Sequence, residues 1–132
     1  DTDREIVFIA GGTGLAPIRS ILFQMVEEGI DRKATFFYGA NQPRDLYLQD
    51  ELREFERKIP GLTYVPCLAQ PEDDWDGQVG LVTQAVDRHV EDASTQECYL
   101  CGSPAMIDAA VELLKPKGLA DERTFYDKFA EA

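Results

Sequence analysis

Short, nearly continuous apolar runs alternate along this chain with segments whose apolar residues recur at helical spacing. The first run, EIVFIA at 5–10, lacks the in–out alternation of a half-exposed strand and is typical of a parallel strand buried on both faces. Parallel strands need a crossover connection between them, and each helical segment supplies one. The alternation therefore predicts an α/β fold, with a doubly wound parallel sheet that carries helices on both faces.

Five strands and four helices account for this pattern, with one helix after each of the first four strands. Pro66 lies inside the third strand and has no backbone N–H, so we expect that strand at an edge of the sheet. The predicted strand order, numbered along the chain, is 3-2-1-4-5. The predicted strands are residues 5–10, 34–39, 62–69, 97–102 and 123–129.

Length and charge narrow the function classes. The 132 residues are enough for one domain, which we take as 1–132. A formal net charge of −12 argues against binding to DNA or RNA, whose phosphate backbones need clustered Lys and Arg. No apolar run approaches the ~18 residues of a membrane span, and the charged start lacks the apolar core of a signal peptide. We therefore expect a cytoplasmic protein with no nucleic-acid or membrane partner.

The three cysteines do not predict a disulfide framework or a metal site. Their number is odd, and Cys98 and Cys101 form a C-x-x-C spacing that a zinc site or a redox pair can use. Both fall in the predicted fourth strand, where a separation of three points side chains to opposite faces. There is no second C-x-x-C, and His89 is the single histidine. We expect no metal site, and we expect most of these cysteines to be unpaired thiols with a structural role.

Three glycines mark the junction between the first strand and the first helix, in the stretch GGTGLAP. Gly11, Gly12 and Gly14 remove side chains where a backbone can approach a ligand, and the following helix presents free N–H groups. Thr13 adds a hydroxyl donor, and Pro17 loses no needed hydrogen bond in a first turn. The pattern favours a pyrophosphate site, although a tight turn needs the same glycines.

The stretch CGSPAM follows the fourth strand, whose end we expect beside the end of the first. Cys101 and Gly102 close the strand, and Ser103 followed by Pro104 is typical of an N-cap and the first residue of a helix. The thiol has three interpretations: a nucleophile, a soft surface against a flat ring, or a buried structural group. A nucleophile is the weakest of them, because no histidine lies nearby to activate it.

The loop after the second strand carries polar groups suited to a nucleoside. Gly39 allows close approach, and Asn41 and Gln42 offer neutral amides for ribose hydroxyls. A 2′-phosphate calls for Arg or Lys, and Arg44 is the one such residue in this loop. Asp45 either contacts the ligand or caps the next helix.

These three motifs, in this order and at the predicted strand ends, resemble the nicotinamide-dinucleotide domain of the ferredoxin–NADP⁺ reductase superfamily. The likeness is greatest to the reductase components of bacterial multicomponent oxygenases, of the phenol hydroxylase and soluble methane monooxygenase type. It rests on GGTGLAP, YGANQPRDLYLQDEL and YLCGSPAMIDA, and it covers essentially the whole chain.

The resemblance implies a role for individual residues. The first motif would hold the pyrophosphate, the Cys-Gly-x-Pro motif would lie by the nicotinamide, with Ser103 in place of a usual proline, and the Asn-Gln pair favours NADH over NADPH. The tail YDKF would place Asp127 and Phe129 near a flavin, with aspartate where the family usually has glutamate. The cofactor-binding set is Gly11, Gly12, Thr13, Gly14, Pro17, Tyr38, Gly39, Asn41, Gln42, Cys101, Gly102, Ser103, Pro104, Met106 and Phe129, and the catalytic candidates are Cys101 and Asp127.

The resemblance also implies partners outside this chain. FAD would be held mainly by a separate flavin-binding domain of the same polypeptide, and a [2Fe–2S] centre would belong to the full-length protein, because the chain has no four-cysteine signature. Such a reductase transfers a hydride from NADH to FAD and passes electrons to an iron–sulfur centre, a ferredoxin or an oxygenase. The alternative from another class is a non-catalytic module that senses a dinucleotide.

Overall fold

The computed structural model describes residues 4–12, 14–46 and 48–128. Its helices are α1 (Leu15–Glu28), α2 (Gln49–Lys58), α3 (Val82–His89) and α4 (Pro104–Leu114), and two short 3₁₀ turns cover Pro43–Asp45 and Asp121–Arg123. Its strands are β1 (Glu5–Gly11), β2 (Ala34–Ala40), β3 (Leu62–Leu68), β4 (Gln78–Val79), β5 (Gln96–Gly102) and β6 (Thr124–Lys128).

All strand pairs are parallel, and the sheet order is β4-β3-β2-β1-β5-β6. The five predicted strands are therefore present in the predicted order, and the doubly wound fold is confirmed. One expectation is wrong in part: the third strand is not the sheet edge along its whole length. The two-residue strand β4 pairs with its end, Cys67 with Gln78 and Leu68 with Val79. Pro66 lies just before this ladder, where its missing N–H costs no bond to β4.

The sheet separates two apolar cores, one for each pair of helices. Alternate residues of β1 show this directly, because Phe8 packs into the core under α1 and α2 while Ile9 packs into the core under α3 and α4. Cys101 belongs to the first core and Cys98 to the second. The predicted opposite orientation of these two thiols is confirmed.

The direction in which the chain adds strands to the sheet reverses between β1 and β5. From β1 the chain builds β2 and β3 on one side, and it then crosses to build β5 and β6 on the other side. Ligands of doubly wound sheets bind at the carboxyl ends of the strands, next to such a reversal. None of the helices within the described parts of the chain combines the length and apolar character needed to cross a bilayer.

Candidate functional site

Gly12, at the end of β1, is held by a backbone bond and by one tyrosine. Gly12 has φ +56°, which favours glycine, and its N–H donates to Gly39 O at 3.2 Å. The Tyr38 hydroxyl donates to Gly12 O at 2.9 Å, from a side chain that is fully buried. Tyr38 thus supports the loop from the core, and its direct contact with a dinucleotide stays a prediction. Thr13, also assigned to this site, lies outside the described residues.

Gly14 brings this loop into contact with the end of β5. A Cβ placed on Gly14 would lie 2.3 Å from Cys101 O and 2.9 Å from Gly102 N, so no side chain fits there. Gly14 also begins α1 without a side-chain cap, which leaves the helix N-terminus open to a ligand. Pro17 lies in the first turn of α1, as predicted. The structure therefore brings together the glycine loop and the Cys-Gly motif.

The turn from β5 into α4 is built as the sequence indicated. Ser103 is the N-cap of α4, with its Oγ accepting a hydrogen bond from Met106 N at 3.2 Å, and Pro104 is the first helical residue. A Cβ added to Gly102 would lie 2.6 Å from Met106 Cε, and one added to Gly11 would lie 3.5 Å from the same methyl. The Met106 side chain therefore spans the junction between β1 and β5.

Cys101 is a protonated thiol at neutral pH. Its residue is 5% exposed, and burial, reinforced by the Asp127 carboxylate, raises its pKa to about 11. Asp127 is the partner of Cys101 in the β5–β6 ladder and is exposed. Because the thiolate is the nucleophilic form, this environment suits a packing role better than covalent chemistry. Phe129, the predicted flavin neighbour, lies outside the described residues.

The loop after β2 forms a 3₁₀ turn with an acidic side chain folded back on it. Gln42 N donates to Asp45 Oδ2 at 3.2 Å, and Asp45 N donates to Gln42 O at 2.9 Å. Asp45 thus caps this turn, while α2 begins later, at Gln49. Asn41 is exposed, and Gln42 is linked to Gln70 by an amide–amide contact of 3.4 Å.

A cleft of about 420 Å³ runs across these strand ends. No charged side chain is present among the described residues that line it, although the chain has 25 acidic residues. The described lining of the cleft therefore places no acidic side chain against an anionic ligand. The lining consists of Gly11, Gly39, Ala40, Asn41, Ala69, Leu81, Val82, Thr83, Ser103, Ala105, Met106 and Ala109. Of the predicted site residues, Gly12, Gly14, Cys101 and Gly102 are not part of this lining.

One wall of the cleft, the start of α3, was not predicted as part of the site. Leu81 is 60% exposed, and its N–H donates to Gln84 Oε1 at 2.8 Å, which fixes the first turn of α3. Val82 fills the space above Gly39, where a Cβ would lie 2.6 Å from Val82 Cβ. Gly39 therefore allows close approach of a helix. The sequence signal for this wall is that α3 follows the third predicted strand, so its N-terminus must lie at the carboxyl edge of the sheet.

The single histidine, His89, has structural partners. His89 Nδ1 lies 2.8 Å from Ala85 O, and its ring packs edge-on against Phe37. Within residues 4–12, 14–46 and 48–128, no three His, Cys, Asp or Glu side chains are grouped to hold a metal ion.

Comparison with known proteins decides the family. The model of the oxidoreductase NAD-binding domain matches residues 8–112. This chain belongs to that family. It is a nicotinamide-dinucleotide domain of the ferredoxin–NADP⁺ reductase superfamily, and its relatives are flavoprotein reductases, including oxygenase reductase components.

Individual relatives of this NAD-binding domain support its assignment to the same family. The chain is 43% identical over 129 residues to the reductase component of propane 2-monooxygenase from Rhodococcus jostii, covering 94% of this chain and 35% of that protein. It is 35% identical over 136 residues to one component of the Na⁺-translocating NADH-quinone reductase from Neisseria meningitidis, covering 98% and 34%. The crystal structure of the cytochrome P450 reductase GcoB from Amycolatopsis superposes with a TM-score of 0.90 at 30% identity, covering 99% of this chain and 39% of that one. The chain thus spans about a third of the length of these curated relatives.

Proposed function

We propose that this NAD-binding domain binds NADH and orients its nicotinamide toward an FAD held by another domain of the same polypeptide. The observation that carries the proposal is the contact of Gly14 with Cys101, because it joins the glycine loop to the end of β5. Beside this contact, Gly11, Ser103 and Met106 line the same cleft. When bound, the dihydronicotinamide supplies a hydride, and the flavin accepts it. The chain would position the dihydronicotinamide and provide the electrostatic environment around it.

The diphosphate of NADH fits the glycine loop. Apart from its chain neighbours, no described residue lies within 4 Å of a Cβ on Gly12, so the space in front of this glycine would admit a ligand. The uncapped N-terminus of α1 directs N–H groups and the positive end of the helix dipole toward the same space. Pyrophosphate oxygens would satisfy these donors.

The nicotinamide end of the cleft fits the turn between β5 and α4. Met106 provides an apolar surface, and the capped turn of Ser103 holds this surface in place. Cys101 lies directly behind the turn and would shape the pocket as a neutral thiol. Asp127 pairs with Cys101 in the ladder, and this position supports its proposed place near the flavin.

The nucleoside end of the cleft favours NADH over NADPH. The Asp45 carboxylate, bonded to Gln42 N, places a negative charge in the loop where a 2′-phosphate would lie. Arg44 is the single basic residue of this loop, and its side chain is exposed. The apolar side chain of Leu81 forms the opposite wall and suits the face of an adenine. The name of the relative from Neisseria, an NADH-quinone reductase, agrees with this preference.

An uncovered part of the sheet would face the flavin-binding domain. On the α1 side, Phe125 is 43% exposed and stacks on Tyr99 with ring centroids 5.0 Å apart, two residues before the Cys101–Asp127 pair of the ladder. Electrons would then pass from the flavin to an iron–sulfur centre, a ferredoxin or an oxygenase. The name of the Rhodococcus relative, a monooxygenase reductase component, supports an oxygenase as the acceptor.

A side-by-side titration of this chain tests the proposal. Trp75 is the single tryptophan and is fixed by a bond from Nε1 to Gln78 O, so its quenching by the dihydronicotinamide reports binding. We expect NADH to bind at least about tenfold more tightly than NADPH, a difference of about 1.4 kcal/mol. ADP-ribose should compete with NADH. Equal or tighter binding of NADPH would overturn the cofactor preference, and no binding of either would overturn the proposed function.

A further inference from the structure

The two methionines of the chain lie in opposite environments. Met25 is 3% exposed and packs in the core between α1 and the sheet. Met106 is partly buried and lines the cleft. Peroxides reach a thioether only where it is exposed, so the two residues should differ strongly in reactivity. Met25 thus provides an internal reference for Met106.

The end of the Met106 side chain lies against the ends of β1 and β5. Its Cε would be 2.6 Å from a Cβ on Gly102 and 3.5 Å from a Cβ on Gly11, so the methyl group covers the backbone of both strand ends. Its own backbone is fixed by the bond from Met106 N to Ser103 Oγ. A change in size or polarity at this side chain therefore acts on the surface that crosses the junction of β1 and β5.

We infer that Met106 is an oxidation site that controls dinucleotide binding. In the reaction, a hydroperoxide transfers its terminal oxygen to the thioether sulfur; the O–O bond breaks, the sulfur loses two electrons to become a sulfoxide, and water or an alcohol leaves. A thiol-dependent methionine sulfoxide reductase reverses the step. The inference rests on the proposed function, because it requires that the cleft binds NADH.

Oxidation should weaken binding for two physical reasons. The sulfoxide replaces a flexible apolar group by a polar, chiral one, at a position packed against two glycines. Its oxygen carries partial negative charge into a cleft whose described lining residues include no acidic side chain and whose proposed ligand is an anion. Together these changes should raise the dissociation constant for NADH about five- to tenfold.

The cysteines do not offer an easier target for peroxide. Cys67, Cys98 and Cys101 are all buried. Burial raises the pKa of Cys67 to about 12 and that of Cys101 to about 11, so both are neutral thiols at pH 7. Neutral thiols react slowly, because the thiolate is the reactive form.

The experiment treats this chain with hydrogen peroxide, removes the excess with catalase and measures both modification and binding. Peptide mass spectrometry should show sulfoxide at Met106 at least about tenfold faster than at Met25, because Met25 is buried. The NADH dissociation constant should rise in proportion to Met106 sulfoxide, and a methionine sulfoxide reductase should restore it.

Two variants separate the effect of oxidation at Met106 from that of oxidation at Met25. Met25→Leu, a swap of similar volume in the core, should remain sensitive to peroxide. Met106→Leu should lose the sensitivity, with its own affinity before treatment as the reference. Sulfoxide at Met106 without a change in NADH binding, faster oxidation of Met25, or a loss of binding that persists in Met106→Leu would each overturn the inference. Failure of the untreated chain to bind NADH would instead overturn the proposed function, and this inference with it.

Discussion

Substitution of Gly14 by alanine tests the close contact on which the site depends. The new Cβ would lie 2.3 Å from Cys101 O and 2.6 Å from Cys101 C, whereas ordinary contacts begin near 3.4 Å, so the loop and the strand end must separate by about 1.1 Å. Both sides are backbone, and neither can rotate away. Overpacking of this kind costs up to about 3 kcal/mol, and we expect a value near that limit. For a domain of this size the melting temperature should fall by about 10 °C.

Two glycine variants serve as controls for this prediction. Gly29 and Gly12 have φ +65° and +56°, and a Cβ on either would meet nothing within 4 Å. Each alanine variant should lose about 1 kcal/mol, or about 4 °C, from its left-handed backbone alone. Gly29→Ala should bind NADH normally, whereas Gly12→Ala should bind at least about tenfold more weakly, because its Cβ enters the space proposed for the diphosphate.

Calorimetry measures the melting temperature of each variant, and tryptophan quenching measures its affinity for NADH. A melting temperature for Gly14→Ala within about 4 °C of the parent chain would show that the contact is looser than the structure indicates. Normal NADH binding by Gly12→Ala would identify the glycine loop as a structural turn.

Three further predictions concern single side chains. Ser103→Ala should lower the free energy of unfolding by about 1 kcal/mol in chemical denaturation, because Met106 N loses its cap. Asp45→Asn keeps an oxygen for Gln42 N but removes a charge, so NADPH binding should improve about three- to tenfold relative to NADH; an unchanged ratio would refute the role of Asp45. Cys101 should resist iodoacetamide at pH 8 in the folded chain. Because its folded pKa of about 11 exceeds the unfolded value of about 8.5, the fold binds the proton more tightly, and stability should decrease as pH rises through this window.

In the longer polypeptide that we propose, Cys101→Ala should slow reduction of the flavin more than it weakens NADH binding. Stopped-flow absorbance of the flavin measures the first quantity, and a titration measures the second. Unchanged turnover would show that Cys101 does not shape the nicotinamide pocket.

Local signals in the sequence were sufficient for most of the fold. Continuous apolar runs predicted the buried parallel strands, and the Ser103–Pro104 pair predicted the start of α4, because both signals lie within a few neighbouring residues. The strand β4 escaped prediction, since two residues, Gln78 and Val79, carry no periodicity and pair only through a partner distant in sequence.

The site was less predictable than the fold, because its shape depends on how helices approach the sheet. The packing of Val82 against Gly39 places Leu81 at the wall of the cleft. No pattern within the loop sequence indicates how closely α3 approaches β2. Likewise, the bond from Tyr38 to Gly12 joins two strand ends and is visible only in three dimensions.

The most direct test of the account is an amide chemical-shift titration of this chain with NADH. We expect the largest shifts on three segments that only the fold brings together: the glycines of the loop after β1 (Gly11, Gly12 and Gly14), the start of α3 at 81–83, and the β5–α4 turn at 101–106. ADP-ribose should reproduce the shifts of the first two segments but not those of the third, which is assigned to the nicotinamide. Shifts centred at the opposite edge of the sheet, or identical shifts with both ligands at the β5–α4 turn, would contradict the account.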